Sequence, residues 1–99
     1  MIEKREFYIN GEWVAPATAR DCLVIDPSTE DACAVISLGD AADTDKAVAA
    51  AKAAFPAWAA TSPAERKALV AKILDQYHLR KEEMAQAISM EMGAPIKLA

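Results

Sequence analysis

Asn10 and Gly11 stand between two runs of strand-forming residues, Phe7-Tyr8-Ile9 and Glu12-Trp13-Val14. Both tolerate the positive φ that a two-residue type I′ turn demands, so the pair predicts a β-hairpin with little freedom in its register. A turn of that length places Tyr8 opposite Trp13, Phe7 opposite Val14 and Ile9 opposite Glu12. Tyr8 and Trp13 then share a face, where cross-strand aromatic contact reinforces the turn. Pro16 ends the run, because it cannot donate to a strand ladder.

Beyond the hairpin, Leu23-Val24-Ile25 reads as a strand and Ala32-Cys33-Ala34-Val35-Ile36-Ser37-Leu38 as its return, closed by Gly39-Asp40. Between them Asp26-Pro27-Ser28-Thr29 has the chemistry of a β-turn, with Pro27 pre-set for its second position. From Asp43 the period changes from strand to helix. Thr44 or Asp43 caps a helix carrying Ala47, Val48, Ala51 and Phe55 on one side, and Pro56 predicts its end. Ser62-Pro63-Ala64-Glu65 is a capping box with proline at the first helical position. It opens a second helix whose apolar stripe is Leu69, Val70, Ile73, Leu74 and Tyr77. Met84, Ala87, Ile88 and Met92 mark a third amphipathic run, which Gly93 closes as a left-handed cap. Pro95-Ile96-Lys97-Leu98-Ala99 then reads as the first turn of a fourth helix, so the chain is expected to be cut rather than finished. The expected fold class is α+β: a hairpin and short strands over residues 7–40, then a layer of three helices over 43–99, all within one domain of residues 1–99.

Charge and composition exclude several functions. Fifteen acidic against eleven basic side chains leave a formal charge of −4 with no basic stripe, so the phosphate-neutralising footprint of a DNA or RNA binder is missing. The uncharged stretch from Ala53 to Ala64 is broken by Pro56 and too short to span a bilayer. Met1 to Glu6 mixes both charges and has no signal-peptide pattern, which points to the cytoplasm. In that reducing compartment Cys22 and Cys33 are expected as free thiols. At 99 residues the core is small, and independent stability is not assured.

Chemistry is sparse. Gly11, Gly39 and Gly93 are isolated, so neither a dinucleotide fingerprint nor a phosphate-cradling loop can be written. His78, Cys22 and Cys33 follow no metal-ligand spacing. A thiol nucleophile with His78 as base lacks oxyanion donors and an orienting third group. Glu82-Glu83 and Asp43 with Asp45 fall near helix N-terminal turns, where carboxylates are favoured without catalysis. Met84 and Met92 fit a packed helix stripe better than a sticky groove. No catalytic, cofactor-binding or metal-ligating residue is assigned.

Five segments in this order resemble the aldehyde dehydrogenase superfamily. Tyr8-Ile9-Asn10-Gly11-Glu12-Trp13-Val14 is similar to the motif that opens its subunits, and Asp26-Pro27-Ser28-Thr29 to its Asn-Pro-Ala-Thr turn. Asp45-Lys46-Ala47-Val48 through Phe55 and Trp58 resembles its first helix, Ser62 to Arg66 its second, and Glu91-Met92-Gly93-Ala94-Pro95 its Glu-x-Gly-x-Pro segment. Asp26, Glu30 and Ala94 depart from the commoner Asn, Gly and Lys. The resemblance implies the outer N-terminal layer of an α/β cofactor-binding domain. It also implies an enzyme that oxidises an aldehyde to a carboxylic acid with NAD or NADP through a cysteine thiohemiacetal and thioester, in a homodimer or homotetramer. The catalytic cysteine and the cofactor-contacting residues of the family would lie beyond Ala99, as would the carboxylate completing a cation site near Ile25-Asp26-Pro27. The other reading of the residues is a stand-alone, non-enzymatic helical interaction module.

Overall fold

A computed structural model describes all 99 residues, Met1–Ala99. Five strands precede two helices: β1 (Ile2–Lys4), β2 (Phe7–Ile9), β3 (Glu12–Val14), β4 (Asp21–Ile25), β5 (Ala32–Ser37), α1 (Ala41–Ala59) and α2 (Pro63–Met92). The hairpin β2–β3 has the register set by its turn, with Tyr8 opposite Trp13. Asn10 and Gly11 both lie at positive φ, 55° and 78°, and the two rings sit 5.2 Å apart in a tilted pair. β4 and β5 pair antiparallel across the Asp26–Asp31 turn, with an irregularity at Val24/Ile25. The Asp26 carboxylate accepts from the Ser28 N–H at 2.8 Å, and the Glu30 N–H donates to the Asp26 carbonyl at 2.8 Å. That geometry puts Glu30 at φ 63°, in the left-handed region that a glycine adopts without a Cβ penalty.

β1 was not expected from the sequence. It adds to β5 in parallel, Glu3 beside Val35, giving the sheet order β1-β5-β4. Four charged residues in a row, Glu3, Lys4, Arg5 and Glu6, follow Ile2 and leave no apolar alternation, so only pairing with a distant strand organises the segment.

Three helix expectations are corrected. The cap of α1 is Asp40, not Thr44 or Asp43: Asp40 and Asp43 form a reciprocal capping box. The helix also runs through Pro56 to Ala59. A proline removes only one amide donor, and here it stands in the last turn, where the Ala60 N–H still reaches the Pro56 carbonyl at 3.2 Å. The expected second and third helices are a single 30-residue helix, α2. No Gly, Pro or capping residue lies between Tyr77 and Met84 to stop it, and Arg80–Glu83 and Glu82–Gln86 pairs, at 2.6 and 3.0 Å, bridge the junction. Two helices therefore replace three within the expected α+β class. At its far end Pro95 accepts from Leu98 and Ala99 in a turn.

The apolar stripe of α2 does not pack against the rest of the chain. Ile73 and Tyr77 are 60% and 55% exposed, and Leu69, Val70, Leu74, Met84 and Met92 are exposed as well. Only Val35, Ser37 and Asp43 are buried. The chain is correspondingly open: its radius of gyration is 17.2 Å, against about 13 Å for a compact 100-residue domain. Its accessible surface of 7942 Å² exceeds by about 2,500 Å² the area of a compact monomer of this mass. An excess of that size matches the area covered in an obligate interface.

Candidate functional site

The one buried carboxylate is Asp43, at the first turn of α1. One oxygen accepts from the Ala17 N–H at 2.9 Å and the other from the Asp40 N–H at 3.1 Å. Its own N–H donates to the Asp40 carboxylate at 3.1 Å. The Ala17 bond comes from the linker between β3 and β4, 26 residues away, so this residue joins distant segments as well as closing a helix end. Hydrogen bonds from the Ala17 and then the Asp40 amide hold its carboxyl below the usual range, against a smaller opposing effect of burial. Asp40-x-x-Asp43 has the spacing of a capping box, a signal from which the true cap could have been read; nothing local signals Ala17.

The other groups considered from the sequence do not converge. Cys22 pairs with Ile36 across the sheet, whereas Cys33 lies three residues earlier on β5, roughly 10 Å along the strand. Both are free thiols, each directed at a backbone carbonyl: Cys33 Sγ at Val24 O, 3.4 Å, and Cys22 Sγ at Leu23 O, 3.7 Å. His78 lies on α2 with its ring edge-on to Tyr77 at 5.9 Å. Glu83 is paired with Arg80 and Glu82 accepts from Gln86, so the adjacent carboxylates serve separate helix neighbours. Asp45 lies exposed on α1. No group of three or more His, Cys, Asp or Glu side chains is placed to hold a metal ion. At Ile25-Asp26-Pro27 the Asp26 carbonyl is already engaged by Glu30.

A nicotinamide dinucleotide does not fit the groups present. Its diphosphate would need free amides at a helix N-terminus or a glycine-lined cradle. Here Asp40 and Asp43 close the start of α1, and Ser62 and Glu65 close that of α2, with Ser62 N–H to Glu65 at 2.7 Å and Glu65 N–H to Ser62 at 3.2 Å. What the arrangement does provide is scaffold: a hairpin seated on α1, where Tyr8 to Gly11 face Ala47, Ala50, Ala51 and Ala54, and a second seam between the β4–β5 turn and the end of α2. At that seam Gly93, left-handed at φ 78°, ends α2 against Pro27; a Cβ added there would lie 3.0 Å from Pro27 Cγ. Two of the segments compared with the family, around Pro27 and around Gly93, thus meet in space.

The strands and helices thus form a layer that is open on one side, with the stripe of α2 exposed. The match to the aldehyde dehydrogenase family model covers residues 13–99, and the chain belongs to that family. It is 44% identical over 96 residues to a 3-succinoylsemialdehyde-pyridine dehydrogenase of a Pseudomonas species, covering 97% of this chain and 20% of that protein. Among solved structures it is similar to an aldehyde dehydrogenase of Bartonella henselae, with TM-score 0.97 and 60% identity over 99% of this chain and 21% of the other. It also matches a Pseudomonas syringae aldehyde dehydrogenase solved with NAD+ and octanal, with TM-score 0.91 and 49% identity over 93% of this chain and 19% of the other. The chain spans about a fifth of the length of the curated relatives it matches.

Proposed function

We propose that these residues form the N-terminal layer of the cofactor-binding domain in a subunit that oxidises an aldehyde to a carboxylic acid with NAD+ or NADP+. One observation carries the reading: an open chain with about 2,500 Å² of surplus surface has nearly the conformation of one fifth of a solved dehydrogenase subunit. Residues 7–40 supply the hairpin and strands and residues 43–99 the helical layer. Reactive cysteine, cofactor contacts and substrate pocket belong to other parts of the subunit, and no residue of this chain is assigned to them. The working assembly is a cytoplasmic homodimer or homotetramer.

The surplus surface also argues against a free-standing helical module, which would have to cover the α2 stripe by itself. The native gene product should have a mass several times 10.6 kDa and reduce NAD+ or NADP+ in the presence of aldehydes. A product of full subunit size that oxidises no aldehyde from a broad panel with either nucleotide would overturn the enzymatic reading.

A further inference from the structure

Residues 6–19 form a flap whose two ends are tied together. Arg5 Nε lies 3.2 Å from the Asp21 carboxylate, Ser37 Oγ donates to the Arg5 carbonyl at 2.7 Å, and Leu38 N–H donates to the Arg20 carbonyl at 2.8 Å. Both ends are thus fixed to the sheet, and between them the β2–β3 hairpin lies across α1. Its apolar seat is shallow. Tyr8 and Trp13 are 63% and 65% exposed, the facing side chains on α1 are alanines, and a methyl group on Gly39 would sit 3.6 Å from the Phe7 ring. One hydrogen bond alone runs from residues 6–19 to α1, that from Ala17 N–H to Asp43.

We propose that the Asp43 carboxylate is a latch that holds this flap on α1, and that protonating it frees residues 6–19 while the β1-β5-β4 sheet stays paired. The ionised group satisfies two amide donors with its two oxygens. Adding a proton turns one oxygen into a hydroxyl and leaves an amide facing a weaker acceptor or another donor, which is the costly arrangement for a buried polar group. The charged groups around it are Asp40, which accepts Asp43's own N–H, and Lys46, whose positive charge favours the ionised form. Arg5 and Arg20 act at the hinge: Arg20 Nη2 donates to the Gly39 carbonyl at 3.0 Å. They hold the ends of the flap and do not depend on the latch. The compact loop with close ends is the form in which a surface segment can open without unravelling its surroundings.

Hydrogen exchange on the purified gene product, read by mass spectrometry, tests this. At pH 7, Asp43→Asn should raise exchange across residues 6–19 by on the order of tenfold or more and leave residues 32–37 unchanged. Asp45→Asn removes the same charge from an exposed neighbour and should alter neither segment. If Asp43→Asn does not fold, the unaltered protein is followed from pH 7 down to below the ordinary carboxylate range, far enough for the lowered Asp43 carboxyl to take up its proton, with rates corrected for intrinsic exchange. Selective loss of protection in residues 6–19 supports the latch. Unchanged protection of the flap, or loss of flap and sheet together, overturns it.

Discussion

Replacing Gly93 by alanine should destabilise the protein by about 1 kcal/mol. Gly93 stands at φ 78° as the cap of α2, with its N–H on the Ser89 carbonyl at 3.0 Å. An L-residue in the left-handed region costs roughly 1–2 kcal/mol, while alanine returns about 0.4–1 kcal/mol by restricting the unfolded chain. The new methyl adds a contact 3.0 Å from Pro27 Cγ, so the turn between β4 and β5 must give by a few tenths of an ångström. The two contributions are separable. Gly93→Asn keeps the Cβ but suits the left-handed cap better, so its stability should fall between parent and Gly93→Ala. Pro27→Ala removes the Cγ, and in that background Gly93→Ala should cost less, a coupling that a double-mutant cycle reads directly. Thermal or denaturant unfolding of the intact gene product gives the ranking. In a cooperative unit of about this length 1 kcal/mol corresponds to roughly 4–8 °C in Tm, and to less in a longer chain. A Gly93→Ala protein as stable as its parent would refute the cap argument, and additive double mutants would refute the Pro27 contact.

Glu30→Gly should be neutral to stabilising by up to about 1 kcal/mol, because relief of the φ 63° strain is partly offset by the added freedom of an unfolded glycine; a clear loss in the denaturant midpoint would contradict this. Ser62→Ala should cost about 1 kcal/mol by leaving the Glu65 amide without its capping acceptor, measured in the same unfolding experiment. Because Asp43 is held below its ordinary value in the fold, the stability it contributes is complete above the unfolded carboxyl value. It is lost as pH falls through the folded one, and Asp43→Asn should flatten the acid arm of a stability profile. Under native conditions a thiol reagent should find Cys22 and Cys33 both reduced, since their positions on β4 and β5 are too far apart for a disulfide; a species oxidised between them would sink that placement.

Sequence by itself determined the features that depend on neighbours in the chain. The hairpin register followed from Asn10-Gly11, the start of α2 from the Ser62 to Glu65 box and its end from Gly93, because turn and cap energies are settled within a few residues. The apolar stripe of α2 was equally legible as a pattern. Its exposure was not, since periodicity shows that a helix has an apolar side without showing what lies opposite. Only tertiary structure decided the rest: β1 against β5, Ala17 on Asp43 26 residues away, and Pro27 beneath Gly93. Those contacts join segments whose own sequences carry no mark of their partner, and they exist because the chain closes long loops to satisfy buried amides and pack a turn against a helix end. The capping box at Asp40 was within reach of local reasoning; the second bond of its Asp43 carboxylate, the one that reaches the flap, exists only once the chain has folded.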